Sequence, residues 1–226
     1  MVRTALDENG FAIVSGILNP EEVSSLLRAL NTSSLRRTRA GIRHLMSNSD
    51  VAALARDRRL LEIAREILAE EPFPFRVTLF DKSPDSNWLV VWHQDTALPL
   101  RLRRDIAGWG PWSVKEGITY AHAPTHALNQ VIALRVHLDD STEQNGPLRV
   151  LPSTHKLGVL TDDEVFQLST EKPATDCLVR QGSVLAMRPL LIHSSSKSQN
   201  EIPRRVLHIE YATSVSFGDG LELAVA

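Results

Sequence analysis

The chain has a single cysteine, Cys177, in 226 residues. That excludes an intramolecular disulfide and a thiolate metal cluster, so any metal held here must be held by nitrogen and oxygen. Long apolar runs are missing as well: nothing approaches the roughly 18 uninterrupted residues of a membrane helix. Met1 to Glu8 lacks the basic segment and apolar stretch of a secretion signal. Charge of one sign is also lacking. With 25 Lys and Arg against 27 Asp and Glu, the net charge is −2, which offers no field for nucleic acid or an anionic membrane. These absences predict a soluble protein of a reducing, cytoplasmic compartment, with no nucleic-acid or membrane partner. Oligomeric state leaves no mark on the sequence.

The length suits one domain spanning 1–226, large enough for a closed sheet and covering helices. Phe11 to Val14 reads as a short strand after Asn9-Gly10. Asn19-Pro20-Glu21-Glu22 opens a helix with a capping Asn, a first-turn Pro and early acids, and Val23, Leu26, Leu27 and Leu30 form its apolar stripe. A second helix is predicted from about Asp50 to Ala69, stopped by Pro72 and Pro74. These elements, about 1–72, read as cover. From about 73 to 213 the texture becomes short apolar strands between turn residues, at 75–81, 88–95, 129–138, 147–151, 176–180, 183–187 and 204–212. The fold class is therefore mainly β with covering helices. A segment at 96–128, holding Trp109, Trp112, Tyr120, His122 and His126, reads as a long loop serving as a lid. Asn145-Gly146 suggests a hairpin turn.

The chemistry concentrates in His93-Gln94-Asp95, at the end of the apolar run Trp88 to Trp92, with a lone His193 far downstream. Alternation along a strand points His93 and Asp95 to one face and Gln94 to the other. A second imidazole from another strand would complete two nitrogens and one oxygen on one face of an octahedron, leaving sites open for co-substrate and dioxygen, as in non-heme Fe(II) oxygenases.

Four further stretches bear on this. WHQDTALPL (92–100), NGPLRVLPSTH (145–155), MRPLLIHSSS (187–196) and RRVLHIEYA (204–212), together with DENGFAIVSGILNPEEV near the start, resemble the phytanoyl-CoA dioxygenase family. The resemblance implies a double-stranded β-helix, the jelly roll of cupin-like proteins. It also implies oxidation of a small-molecule substrate with Fe(II), 2-oxoglutarate and O2, releasing succinate and CO2. It places the metal on His93, Asp95 and His193, and an arginine eleven residues after the distal histidine, Arg204, on the far carboxylate of 2-oxoglutarate. A guanidinium fork suits that carboxylate. Alternation leaves Arg205 as the competing choice, with Arg204 on the face of Val206, His208 and Glu210. The same resemblance assigns Ser195 and Thr78 to the co-substrate, and an indole from Trp109 or Trp112.

Arg43, with Arg36, Arg37 and Arg39, forms a basic cluster that could meet co-substrate or substrate, or simply face water. Lys82 reads as a solvated turn residue, and His137 and His208 as strand residues that could line a cavity. One departure from the family pattern is Pro152-Ser153-Thr154-His155, where the family usually has Pro-Gly-Ser-His. Retention of Asp95 favours hydroxylation over halogenation. Two rival readings stand beside the oxygenase: a cupin-type hydrolase or isomerase using the metal as a Lewis acid, which would not need Arg204, and a non-catalytic small-molecule sensor.

Overall fold

The computed structural model describes residues 1–32, 41–83 and 86–225. Its N-terminal part runs α1 (Val2–Asn9), β1 (Phe11–Val14), α2 (Pro20–Thr32), β2 (Gly41–Ile42), α3 (Ser49–Ala55) and α4 (Arg58–Leu68). Asn19 caps α2 as expected: its Oδ1 accepts from the backbone N–H of Glu21 and Glu22, and Glu22 accepts from the Asn19 N–H in return. The single helix expected over 50–69 is instead two. Asp57 accepts the Arg59 N–H at 2.8 Å and caps α4, so a short acidic side chain that competes for backbone donors divides an otherwise helical pattern. Asp57 and Glu22 together grip the Arg59 guanidinium, tying α4 to the start of α2.

The β part contains β3 (Phe73–Lys82), β4 (Val90–His93), β5 (Ala97–Leu100), β6 (Trp112–Lys115), β7 (Ile118–His122), α5 (Thr125–Leu128), β8 (Val131–His137) and β9 (Leu148–Val150). It continues with α6 (Asp162–Glu171), β10 (Thr175–Cys177), β11 (Val184–Met187), β12 (His193–Ser195) and β13 (Arg204–Ala212). A six-stranded sheet, in the order β1-β11-β8-β13-β3-β2, faces a four-stranded sheet, β10-β9-β12-β4. This is the jelly-roll architecture that the resemblance implied.

The large sheet is covered on both faces, and alternation assigns each residue a side. Val77, Leu79, Leu134, Val136, Leu207 and Ile209 join the apolar cluster beneath the helices. Tyr211 on the same side donates its hydroxyl to Ala55 O at 2.9 Å. The opposite residues, among them Arg76, Lys82, Arg135, Arg204, His208 and Glu210, face the interior of the roll. A polar interior in a sandwich costs desolvation unless partners or a ligand meet it, so this face marks the site.

Two expectations change here. The 96–128 segment is no irregular loop: β5, β7 and β6 pair as a third antiparallel sheet. Nor do the strands flanking Asn145-Gly146 form a hairpin, because β8 and β9 lie in different sheets. Gly146, at φ +68, hands the chain from one sheet to the other so close to Ser196 that a Cβ would stand 2.4 Å from its carbonyl.

Candidate metal centre and its two cavities

β4 and β12 are antiparallel neighbours in which His93 pairs with His193, so the two imidazoles come from one cross-strand position, ring centroids 4.2 Å apart. Asp95 reaches them differently from the expected strand alternation. β4 ends at His93, and Asp95 is turned back by its N–H donating to Pro189 O at 2.9 Å. Gln94 does point away, bonding Gly158 O, Leu190 O and the Leu160 N–H. The Asp95 carboxylate then stands 3.6 Å from His93 Nε2 and 3.5 Å from His193 Nε2. One donor atom from each of the three residues lies within 4.8 Å of the other two.

Each imidazole donates Nδ1–H to a carbonyl two residues back, Val91 O at 2.8 Å and Leu191 O at 2.9 Å. A carbonyl only accepts, so Nδ1 carries the proton and Nε2 offers its lone pair toward the carboxylate. Two lone pairs and a carboxylate facing one another repel unless a cation sits among them, so the donor set fits a metal. Burial works against the Asp95 charge, yet His193 and His93 hold its pKa well below the usual carboxylate range. Burial, then His93, lowers His193 to about 4. Burial opposes protonation of His93 too, but Asp95 holds its pKa above the ordinary imidazole value.

The triad separates two cavities. The smaller, about 80 Å³, is lined by Trp88, Arg135, Ser195 and Arg204 beside the three metal-site residues. The larger, about 300 Å³, is lined by His93 and Asp95 with Arg43, Arg76, Thr78, Lys115 and His208 among others.

Next to the smaller cavity, Lys82 and Arg204 are direct cross-strand partners on β3 and β13, 1 % and 3 % exposed. Like charges in that relation repel. Both donate to Ser195 Oγ, Lys82 Nζ at 2.8 Å and Arg204 Nη2 at 3.2 Å, while the Ser195 hydroxyl donates to Gly146 O. Among the described residues Arg204 Nη1 has no hydrogen-bond partner, nor does the Nε of buried Arg135, whose Nη1 donates to His208 Nδ1 at 3.0 Å. Among the described residues no carboxylate pairs with Lys82, Arg135 or Arg204. Burial, then the neighbouring guanidiniums, lowers Lys82 to about 7; burial, then Arg135, lowers Arg204 to about 9. An anion is what this side of the triad lacks, and a dicarboxylate reaching from the metal to Arg204 fits.

Several expected site residues lie elsewhere. Trp109 and Trp112 line neither cavity: both pack on the apolar cluster of the third sheet, Trp109 against Phe217 and Trp112 beneath Arg103. The indole at the smaller cavity is Trp88, with Lys82 Nζ 5.4 Å from its ring. Thr78 is opposite His208 in the ladder and lines the larger cavity, away from Arg204. Arg205, the competing choice, is bound bidentately by Asp139 at 2.8 Å. Arg43 reaches the larger cavity, while Arg36, Arg37 and Arg39 lie outside the described residues.

Lys82 is a buried cation where a solvated turn residue was expected. Arg135 is a site residue that the motifs do not reveal; its signal is a charge inside VIALRVHL, a run otherwise fit for burial.

A jelly roll with two imidazoles and one carboxylate converging at its interior has the ligand chemistry of mononuclear non-heme iron oxygenases. Residues 6–206 match the phytanoyl-CoA dioxygenase family, and the chain belongs to it. It is an Fe(II)- and 2-oxoglutarate-dependent dioxygenase, with O2 as the other co-substrate. The ectoine dioxygenase of Nocardia farcinica is 21% identical over 239 residues, covering 89% of this chain and 73% of that one. Of solved structures, EctD from S. alaskensis with 2-oxoglutarate and 5-hydroxyectoine superposes with TM-score 0.70 at 20% identity, over 92% of this chain and 74% of that one. HygX from Streptomyces hygroscopicus with nickel, 2-oxoglutarate and hygromycin B gives 0.67 at 21%, over 92% and 85%. Among the described residues no helix is long and apolar enough to cross a membrane.

Proposed function

We propose that His93, Asp95 and His193 hold ferrous iron and that the protein hydroxylates a small molecule in the larger cavity. The uncompensated charge of Lys82 and Arg204 beside the triad carries this reading, because a Lewis-acid hydrolase or a sensor has no use for a dicarboxylate there. Iron and 2-oxoglutarate, when bound, supply the oxidising chemistry: dioxygen and co-substrate become succinate, CO2 and one oxygen atom inserted into a substrate C–H bond.

The chain's own residues bind and orient. Arg204 offers its free Nη1 and its fork to the far carboxylate of the co-substrate. Lys82 adds a second positive charge, and Ser195, bridging the two, fixes their spacing. Trp88 closes the apolar side and keeps water out. Gln94 pins the strand end so that His93 and Asp95 keep their mutual angle. In this reading 1–226 acts as one oxygenase domain, the helices of 1–72 bracing the large sheet and the 96–128 sheet forming the wall of the substrate cavity. A cytoplasmic setting suits a ferrous site.

Anaerobic Fe(II) with 2-oxoglutarate should give the weak visible charge-transfer band of the chelate. His93→Ala should abolish it. Arg204→Ala should raise the 2-oxoglutarate needed by about tenfold or more, the worth of a charge-assisted hydrogen bond. Bound iron without a band in the unaltered protein would sink the reading.

A further inference from the structure

The larger cavity resembles no site for an acyl chain. Of the thirteen residues around it, only Phe80 and Ala97 are apolar. A long hydrocarbon placed there would strip water from polar groups and give nothing in return. The occupant must be polar.

Its charge follows from which of the lining groups are already neutralised. Asp95 belongs to the metal triad, and the Arg76 guanidinium is bound through two nitrogens by Glu210 while its third donates to Ala97 O at 3.0 Å. Burial, then Arg135, holds His208 well below the usual imidazole pKa, so it stays neutral. His122 is turned to Thr96 at 2.6 Å. What remains is Arg43 and Lys115, from opposite covers of the cavity: Arg43 follows β2 beneath the helices, Lys115 ends β6 of the third sheet. Glu116 touches Arg43 only loosely, at 3.7 Å, and shares its carboxylate with His44 at 3.6 Å. Lys115 has no carboxylate within 4.0 Å among the described residues; its Nζ stands 5.0 Å over the Tyr120 ring, whose hydroxyl is tethered to His44 at 2.8 Å. Arg43, Arg76 and Lys115 line the same cavity, and partial loss of solvent, then the charges of Arg43 and Arg76, lowers the Lys115 pKa.

We propose that the substrate is a small polar anion, bearing a carboxylate or phosphate that Arg43 and Lys115 hold at the mouth of the larger cavity while its oxidisable carbon points to the metal triad. The proposal rests on the oxygenase reading for the identity of the site but not for its charge. Tyr120 acts as a positioning residue, keeping the Lys115 ammonium over the opening by a cation–π contact.

Matched compounds test it: glucose 6-phosphate and glucuronate against glucose and glucosamine, and O-phosphoserine against serinamide. Binding is read in two ways with 2-oxoglutarate saturating. One is perturbation of the visible band of the ferrous complex; the other is saturation-transfer NMR on the zinc-loaded protein, which needs no band. The anionic member of each set is expected to bind about tenfold tighter than its neutral or cationic counterpart, a preference that fades as salt is raised. Arg43→Gln and Lys115→Gln should each remove most of it, with 2-oxoglutarate binding unchanged, whereas Arg103→Gln, between β5 and β6 over the Trp112 ring and outside the cavity lining, should not alter it. Neutral or cationic members binding as well as anionic ones overturn the proposal. So does the absence of any anionic binder, or an anion preference that survives the Arg43→Gln, Lys115→Gln double variant. A missing visible band with the NMR preference intact would instead discredit the iron and 2-oxoglutarate reading and leave the anion site standing. If the phosphates bind and the carboxylates do not, the substrate is a phosphate ester; the reverse makes it a carboxylic acid.

Discussion

The ladder between β3 and β13 carries three charged cross-strand pairs, and the two on the face turned to the interior, those without Asp81 and Arg205, differ in kind. Toward the larger cavity Arg76 faces Glu210; toward the smaller, Lys82 faces Arg204. The first pair is self-sufficient: a carboxylate and a guanidinium, both largely out of water, with geometry to match. The second is two cations in a position where like charges repel, and among the described residues the oxygens they bond are a hydroxyl and backbone carbonyls. Such an arrangement is stable enough to fold only because the rest of the roll imposes it, and it is relieved by an anion from outside. Within one pair of strands, charge matched by the chain signals structure and charge left unmatched signals a ligand.

The matched end can be broken most severely. Glu210→Gln leaves Arg76 buried with no counter-charge, and loss of one member of a buried pair costs about 3–5 kcal/mol; urea unfolding should record a drop of that order. If stability is unchanged, Arg76 is compensated from elsewhere and the contrast between the two ends fails. At the unmatched end the sign reverses. Lys82→Met removes repulsion, so the ligand-free protein should hold its stability or gain about 1 kcal/mol, while the affinity for 2-oxoglutarate, followed by calorimetry, falls by about tenfold. Trp109→Leu, a comparison in the third sheet's apolar cluster, should leave that affinity alone.

The smallest effect is in pH. The folded-state pKa of Lys82 is lowered, to about 7 from 10.5 in the open chain, first by burial and then by Arg204 and Arg135. Between those values the unfolded chain binds the extra proton, so ligand-free stability should rise with pH from about 7 to about 10. Lys82→Met should flatten that slope, and saturating 2-oxoglutarate, which favours the ammonium, should flatten it as well. Stability that fell over the same interval would mean that Lys82 has a buried counter-ion.

The candidate metal ligands were legible because they are a local pattern plus one distant histidine, and ligand chemistry allows few substitutes. Strand alternation accounts for only part of why His93 and Asp95 share a side, since the strand stops at His93 and a bond to Pro189 O completes the turn. Arg204 was legible through the spacing from His193 that the family resemblance implies, whereas its distinction from Arg205 waited on Asp139, 66 residues away from Arg205. Trp88 and Trp109 look alike as letters; what separates them is which sheet each packs on. Lys82 next to Ser83-Pro84 reads as a turn residue, and nothing local shows that Ser195 and Ser196, over a hundred residues on, close over it.

By itself the sequence determined the chemistry available: nitrogen and oxygen ligands, a mainly β texture under helical cover, no second cysteine for an intramolecular disulfide and no apolar run of membrane-helix length. These follow from residue type, spacing and periodicity, which are properties of the chain read in order, while the jelly roll and the arginine for a carboxylate were implied by the family resemblance. Tertiary structure alone decided which charges find partners. Arg76 meets Glu210 across 134 residues and Lys82 meets Arg204 instead of an acid. Compensation is set by distance in space and by burial, and the strand register that brings these residues face to face exists only once the sheets have closed.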